Sequence, residues 1–285
     1  MSIANKAVWV IERNSGRELS LSGIAQACGV SRSHLANAFG TQVGLSVMHY
    51  VRARRLSEAA RLLAGGAPDI LAVALDAGYA SHEAFTRAFR DAFGVTPERV
   101  RERGSLEDIT LIEPFELKPE TSTRLEPPRY IESAAIKIVG LLEPFSWETA
   151  IRIPGQWQRF MPYYESIACK DEQIPLGVCF PADDEGTFEY ICSVEVSRFA
   201  DHAPELVERV IPQATYAVFE HRAHIARIGE TYTAIWNRIL PEVGRMQADA
   251  PVLERHNQTF DPQTGEGGVT IWVPLAPQSS QRGDE

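Results

Sequence analysis

Residues 78–97 read GYASHEAFTRAFRDAFGVTP, and this stretch decides how the first third of the chain folds. Ser81 is a natural N-cap, and Phe85, Ala88, Phe89 and Phe93 recur at the helical spacing that makes one buried stripe. The other face of that helix then carries His82, Glu83, Thr86, Arg87 and Arg90. Gly78 makes the turn before it, Gly94 stops it, and Thr96-Pro97 supplies a cap and a first-turn proline for a short further helix. Upstream, Asp69 caps ILAVALDA, so the stretch is predicted to be the second half of a helix-turn-helix.

Working outward, the same pattern occurs earlier, in LSLSGIAQACGVSRSHLANAFGTQVG at residues 19–44. Ala25 is small enough for two helices to cross closely, Gly29 takes a positive-φ turn position, and Leu35 anchors the second helix, which Ser31 caps. Leu35, Ala38 and Phe39 face a core, while Arg32, Ser33, Ala36 and Asn37 are expected to point outward. A first helix is expected around Ile3 to Asn14. Between the two units, Val47, Val51, Leu56, Ala59, Leu62 and Leu63 keep a helical rhythm until Gly65-Gly66, so one long helix would hold the units at a fixed separation.

The charge distribution supports a division of labour. The 285-residue chain has a formal net charge of −10, which alone argues against a polyanionic partner. Residues 1–105 nevertheless hold 13 Lys+Arg against 9 Asp+Glu, net +4, and the remainder holds 15 against 29, net −14. Only the first part is therefore expected to meet nucleic acid. Cys28, Cys169, Cys179 and Cys192 lack zinc-ligand spacing and are expected to be free thiols in a reducing compartment. No metal or cofactor is expected. There is no signal-like start and no apolar run of the roughly 18 residues that a membrane span needs, so a cytoplasmic location and no membrane partner are expected.

The combination of GVSRSHLANAF, VRARRLSEAARLLAG and GYASHEAFTRAFRDAFGVTPERVR resembles the DNA-binding domain of AraC/XylS-type transcription regulators over about a third of the chain. The resemblance implies that each second helix enters the major groove, contacting two successive groove faces about 34 Å apart. It makes Arg32, Ser33, Ala36 and Asn37 the first reading face, and His82, Glu83, Thr86, Arg87 and Arg90 the second. Arg suits guanine, Asn adenine, and Glu a cytosine amino group. Some relatives carry an aromatic residue or an arginine where Ser33 and Asn37 stand, so the second unit is expected to be the fuller reader. Arg52, Arg54, Arg55, Arg99, Arg101 and Arg103 are expected to neutralise phosphates or to pair with Glu58, Glu98 and Glu102. Against this stands the plainer expectation that polar residues on a helix are solvated surface.

A linker is expected at residues 105–128, in which ITLIEPFEL is apolar enough to dock as a short strand. From Arg129 the pattern alternates, with strands expected at AAIKIVGLLE, PLGVCF, FEYICSVEV, TYAVFEHR, PVLERH and GVTIWVPL, and helices near PGQWQRFMPYYESIA and IGETYTAIWNRIL. The fold class is thus multidomain. An all-α double helix-turn-helix domain (1–104) precedes an α+β domain (129–277) of duplicated β-α-β-β units, and residues 278–285 form a flexible tail. Two such units would build one sheet with both helices on one face and a concave surface at their junction.

YAVFEHRAHIARIGETYTAIWNRILPEVG followed by APVLERHNQTFDPQTGEGGVTIWVPL resembles the GyrI-like effector-binding domain, over residues from about 129 to 276. Ala223 stands where relatives usually have glycine. The resemblance implies that an inward glutamate on the penultimate strand, ringed by aromatics, binds cationic or lipophilic ligands. The matching residue is Glu254, and Tyr190, Trp157, Tyr232, Trp236 and Trp272 are the candidate walls. A carboxylate in an apolar pocket is poorly stabilised alone, so an incoming cation gains a strong interaction, to which aromatic faces add. The plainer alternatives are that Trp157 and Trp236 are core and that Glu254 pairs with Arg255 at the surface. His221 and His224 lack a third metal ligand.

The expected function is that of a sequence-specific DNA-binding transcription regulator, not an enzyme, whose C-terminal domain senses a small amphipathic or cationic ligand. Its expected partners are double-stranded DNA and a small-molecule effector, with RNA polymerase left open. Two alternatives remain. Glu254 and Tyr190 could act as base and acid in hydrolysing a strained electrophile, as some GyrI-like relatives do, or the domain could bind a protein. No G-x-S-x-G, P-loop or metal triad is present.

Overall fold

The computed structural model describes residues 1–14, 16–115 and 124–277. Helices α1 (Ile3–Arg13), α2 (Leu21–Cys28), α3 (Arg32–Val43), α4 (Val47–Ala64), α5 (Ile70–Asp76), α6 (His82–Phe93) and α7 (Pro97–Arg103) form the N-terminal part. The two helix-turn-helix units start where capping chemistry places them. Ser31 accepts from the His34 amide, Ser81 from that of Ala84, and Thr96 from that of Arg99. The turns need residues free to adopt positive φ, which Gly29 and Gly78 supply at 77° and 85°.

Helix α4 belongs to two cores. Val47, Tyr50 and Val51 pack with α1, α2 and α3, whereas Leu56, Ala59, Ala60 and Leu63 pack with α5, α6 and α7. Leu62 departs from the expected rhythm and is 52% exposed. Arg54 takes an inside position instead. Its guanidinium donates to Glu12 twice at 2.9 Å, to Glu58 at 3.0 Å and to the Ile112 carbonyl at 2.7 Å, so this arginine is not free to neutralise a phosphate. Burial pushes the Glu12 carboxyl up, but hydrogen bonds from Arg54 and Tyr50 outweigh it and hold its pKa below the usual value.

The start of the expected linker is a strap along α4. Leu106, Ile109 and Leu111 pack on the second core and Ile112 on the first. No strand forms among the described residues of ITLIEPFEL, 109–115, where Ile112 N donates to Ser57 Oγ at 2.9 Å and Phe115 N to Tyr50 Oη at 3.1 Å. Residues 116–123 of that linker and the tail at 278–285 lie outside the described residues.

The remainder forms an antiparallel eight-stranded sheet. Its strands are β1 (Arg129–Ser133), β2 (Ile136–Ser146), β3 (Lys170–Cys179), β4 (Thr187–Val196), β5 (Val207–Ile211), β6 (Ala214–His221), β7 (Val252–His256) and β8 (Val269–Leu275), in the order β1-β6-β8-β7-β3-β4-β2-β5. Helix α8 (Ile153–Tyr164) follows β2 and α9 (Ile228–Ala234) follows β6, so the duplicated unit is present with its pseudo-twofold between β3 and β7. Strands β1 and β5 were not anticipated. Each is short, mostly exposed, and lies on the first strand of the other unit.

That exchange dictates the curvature. β1 runs into β2 through Ala134-Ala135, and β5 into β6 through Pro212-Gln213, although each pair lies six strands apart in the order. Six strand spacings in a flat sheet are about 29 Å, whereas three peptide steps reach about 11 Å. The sheet must therefore curl until its ends meet. Ile136, Ile138 and Ile211 from one end, Tyr216 and Val218 from the other, and Leu176, Val178, Ile191 and Leu253 from the middle form one apolar cluster inside the curl. The outer face carries α8 on one unit and α9 on the other.

Helix α9 continues through a π turn, Ile235–Ile239, into Leu240–Glu242. It is wedged between the sheet and the first helix-turn-helix. Ile3, Ala7, Ile24 and Phe39 share a single core with Trp236, Ile239, Phe219 and Ile271.

Candidate functional site

Strand alternation puts Leu253 inside the curl and Glu254 on the helix-bearing face, where it lies opposite Gly177 of β3. Tyr190 of β4 donates to Glu254 Oε2 at 2.5 Å, and Tyr232 of α9 donates to Oε1 at 2.5 Å. Gly177 makes this possible. A Cβ there would stand 2.1 Å from Tyr190 Oη and 3.0 Å from Glu254 Oε2. A strand-interior glycine marking a close approach was the signal available in the sequence, and it was missed.

Glu254 is half-buried, and among the described residues its hydrogen-bonding partners are these two hydroxyls rather than a cation. Burial pushes its pKa above the ordinary carboxylate value, and the two tyrosine donations counter this only in part. Burial first, and then the neighbouring carboxylate, push both tyrosine hydroxyls far up, so they remain donors. Arg255, the alternative partner, leaves by the opposite face to meet Glu195 at 2.9 Å and lies 4.9 Å over the Trp272 ring.

Three of the five candidate walls surround the carboxylate or its partners. Tyr190 and Tyr232 touch it, and Trp236 stacks parallel to Tyr232 with centroids 6.4 Å apart. Trp157 stands one step away on α8, 4.9 Å from His256, whose pKa burial pushes down to about 4. Trp272 is a correction: Glu254 pairs with Ile271, so Trp272 belongs to the cluster inside the curl. Phe145, edge-on to Tyr190, and Gln156, which ties α8 to the Tyr190 and Leu141 carbonyls, were not anticipated. Both His221 ring nitrogens are engaged, with Thr231 at 2.7 Å and the His224 carbonyl at 3.2 Å, and no group of three metal-ligating side chains exists among the described residues.

The two expected reading faces differ. On α6, Glu83, Arg87 and Arg90 are exposed, and neither arginine has an acidic partner among the described residues. His82 lies 2.9 Å from Glu98, and the Thr86 hydroxyl is turned inward. On α3 the expectation of an outward face is not met. Arg32 pairs with Asp184, Ser33 donates to Asp249 at 2.6 Å, Asn37 donates to Gln247 at 3.1 Å, and Ala36 is buried. Asp184 and Glu185 of the acidic run at 183–185 meet Arg32 of α3 and Arg52 of α4.

Residues 24–103 match a helix-turn-helix domain family, and residues 126–276 match the GyrI-like small molecule binding domain family. The chain is 29% identical over 149 residues to the transcriptional regulator BrlR of Pseudomonas aeruginosa, a match that covers 52% of this chain and 54% of that protein. It is 39% identical to the probable transcription factor PqrA of Proteus vulgaris over 34% of this chain and 79% of the relative. Against the transcriptional regulator Rob of Salmonella typhimurium the identity is 21%, over 94% of each chain. Among the described residues no helix is long and apolar enough to cross a membrane. The chain therefore belongs to the GyrI-like small-molecule-binding family, joined to an AraC-type double helix-turn-helix, and is a DNA-binding transcription regulator.

Proposed function

We propose that this regulator senses a lipophilic or amphipathic monocation at Glu254. The observation that carries the reading is a half-buried carboxylate held by two tyrosine hydroxyls, with no cationic side chain upon it among the described residues. Burial has already removed part of the water around this group, so a cation that reaches it faces less competing hydration than at the surface. The parallel Tyr232 and Trp236 rings offer π faces to the same charge. His82, Glu83, Arg87 and Arg90 are proposed as the reading face of the second unit, without Thr86, whose hydroxyl is turned inward, and Arg32, Ser33 and Asn37 as that of the first.

The test is titration of the full chain with tetraphenylphosphonium, followed by intrinsic fluorescence. Saturable quenching is expected, with affinity at least tenfold weaker in Glu254→Gln. A proton competes with the cation. Above the raised Glu254 pKa the affinity is flat, and below it each pH unit removes up to about tenfold. The decline begins above pH 4.5, the ordinary glutamate value. Equal binding by Glu254→Gln would overturn the reading.

A second reading rests on the same short Tyr190–Glu254 contact, which pairs an acid with a base. Consumption of an epoxide by the wild type and not by Glu254→Gln would replace sensing with hydrolysis.

A further inference from the structure

The reading face of α3 is covered by groups that imitate a duplex. Asp184 meets Arg32, Glu185 holds Arg52 through two bonds at 3.0 and 2.5 Å, and Asp249 accepts from Ser33 at 2.6 Å. These are carboxylates where phosphate oxygens would stand. Gln247 meets Asn37 with an amide, as a base edge would. Beneath this polar layer lies a tighter grip. His34 contacts the Trp236 carbonyl at 2.7 Å, and Asn237 accepts from the Ala4 amide and donates to the Ala38 carbonyl, both at 2.9 Å. Trp147 lies flat on Gly40, where a Cβ would come within 2.1 Å of the indole. A reading helix is about 10–12 Å across and the major groove about 12 Å wide. This domain and a duplex cannot occupy one face of α3 together.

We propose that the acidic domain is an intramolecular mask of the first DNA-reading helix, and that ligand occupancy at Glu254 releases it. The helix that lends Tyr232 to Glu254 also lends Trp236 and Asn237 to α3. A cation that takes the place of the Tyr232 hydroxyl shifts that helix and loosens its hold on α3. The π turn at Ile235–Ile239 begins three residues after Tyr232 and itself carries Trp236 and Asn237, so the second contact sits where a helix readily changes register. The masking half stands on the seam alone, and the release half rests on the sensing reading above.

The experiment selects duplexes from random DNA with the full chain and with the triple variant Asp184→Asn, Glu185→Gln, Asp249→Asn. The wild type should recover one groove-length element. The variant should recover two elements about 10 base pairs apart and bind that longer duplex at least tenfold more tightly. A charge-matched control, Glu132→Gln, Asp201→Asn, Glu205→Gln, lies outside the seam and should behave as the wild type. Labelling at position 33 in Ser33→Cys, read by mass spectrometry, should be at least tenfold faster when the three seam carboxylates are neutralised. Tetraphenylphosphonium should move the wild type toward the variant. If the triple variant and the wild type recover the same element with equal affinity and label at equal rates, there is no mask. If the triple variant is unmasked but the cation binds without widening the wild-type site, the release half fails while sensing stands. If the cation does not bind, sensing fails and release with it, while the mask still holds.

Discussion

The two helix-turn-helix units are built from the same local devices, yet they stand in different surroundings. Each has a serine cap, a glycine turn and a buried apolar stripe. The first shares its core with the ligand domain, so Phe39 and Trp236 belong to one cluster and α3 faces protein. The second has its own core around Phe85 and Phe89, and α6 faces solvent. The difference teaches that a motif's local chemistry determines its shape, whereas its availability is determined by what lies against its polar face. In this structure the polar face of α6 is open, whereas that of α3 is covered.

The largest effects should come from breaking each core separately. Phe39 and Phe89 are both fully buried, and truncation of either to alanine should cost about 3–5 kcal/mol. The readouts should separate. All five tryptophans, Trp9, Trp147, Trp157, Trp236 and Trp272, lie outside the second unit. Phe39→Ala should therefore shift the fluorescence-monitored denaturation, while Phe89→Ala should leave it in place and lower only the helical signal. An equal shift of the fluorescence transition by both would mean that α4 makes the two cores one cooperative unit.

The next effect is on DNA. Arg87→Ala should weaken duplex binding by about 1–3 kcal/mol, roughly fivefold to 150-fold. Asn37→Ala in the ligand-free chain should change it little, since that side chain is already committed to Gln247. The reverse ranking would make the first unit the reader.

What could be read in the sequence and what could not follows the same division. The helical units were legible because their signals are local. Ser31, Ser81 and Thr96 cap helices within their own segments, and Gly29 and Gly78 make turns there. Strands β1 and β5 were not legible, because mostly exposed edge strands carry no alternation. Resemblance singled out Glu254, and the structure brings Tyr190, Tyr232 and Trp236 around it, whereas Trp272 lies on the other face because its position depends on a register between β7 and β8 that no single strand reveals. Gly177 acts through the atom it lacks. The seam was invisible for a deeper reason: Ser33, Asn37, Asp184 and Asp249 are ordinary surface residues until two distant segments meet.

The smallest effect is a titration confined to the first unit. His34 is buried in the seam, and that burial lowers its pKa from 6.5, opposed in part by its bond to the Trp236 carbonyl. The sign follows from which state takes the proton. Above pH 6.5 the imidazole is neutral whether α3 is covered or free, so docking is independent of this group. Below 6.5 a freed His34 gains a proton that the covered one resists, and docking weakens as the pH falls toward the lowered value. One group contributes at most about 1.4 kcal/mol per pH unit. The measurement is the fluorescence-monitored unfolding free energy at pH 7.5 and 5.5 in the wild type and in His34→Gln, whose amide N–H reaches the Nε2 position and does not titrate. His221 and His256, also lowered by burial, act in both proteins and cancel in the comparison. The wild type should lose more stability than the variant, by up to about 1.4 kcal/mol. Equal losses would mean that the seam does not hold His34 neutral, and the contrast between a covered first unit and an open second one would lose its mildly acid-sensitive latch.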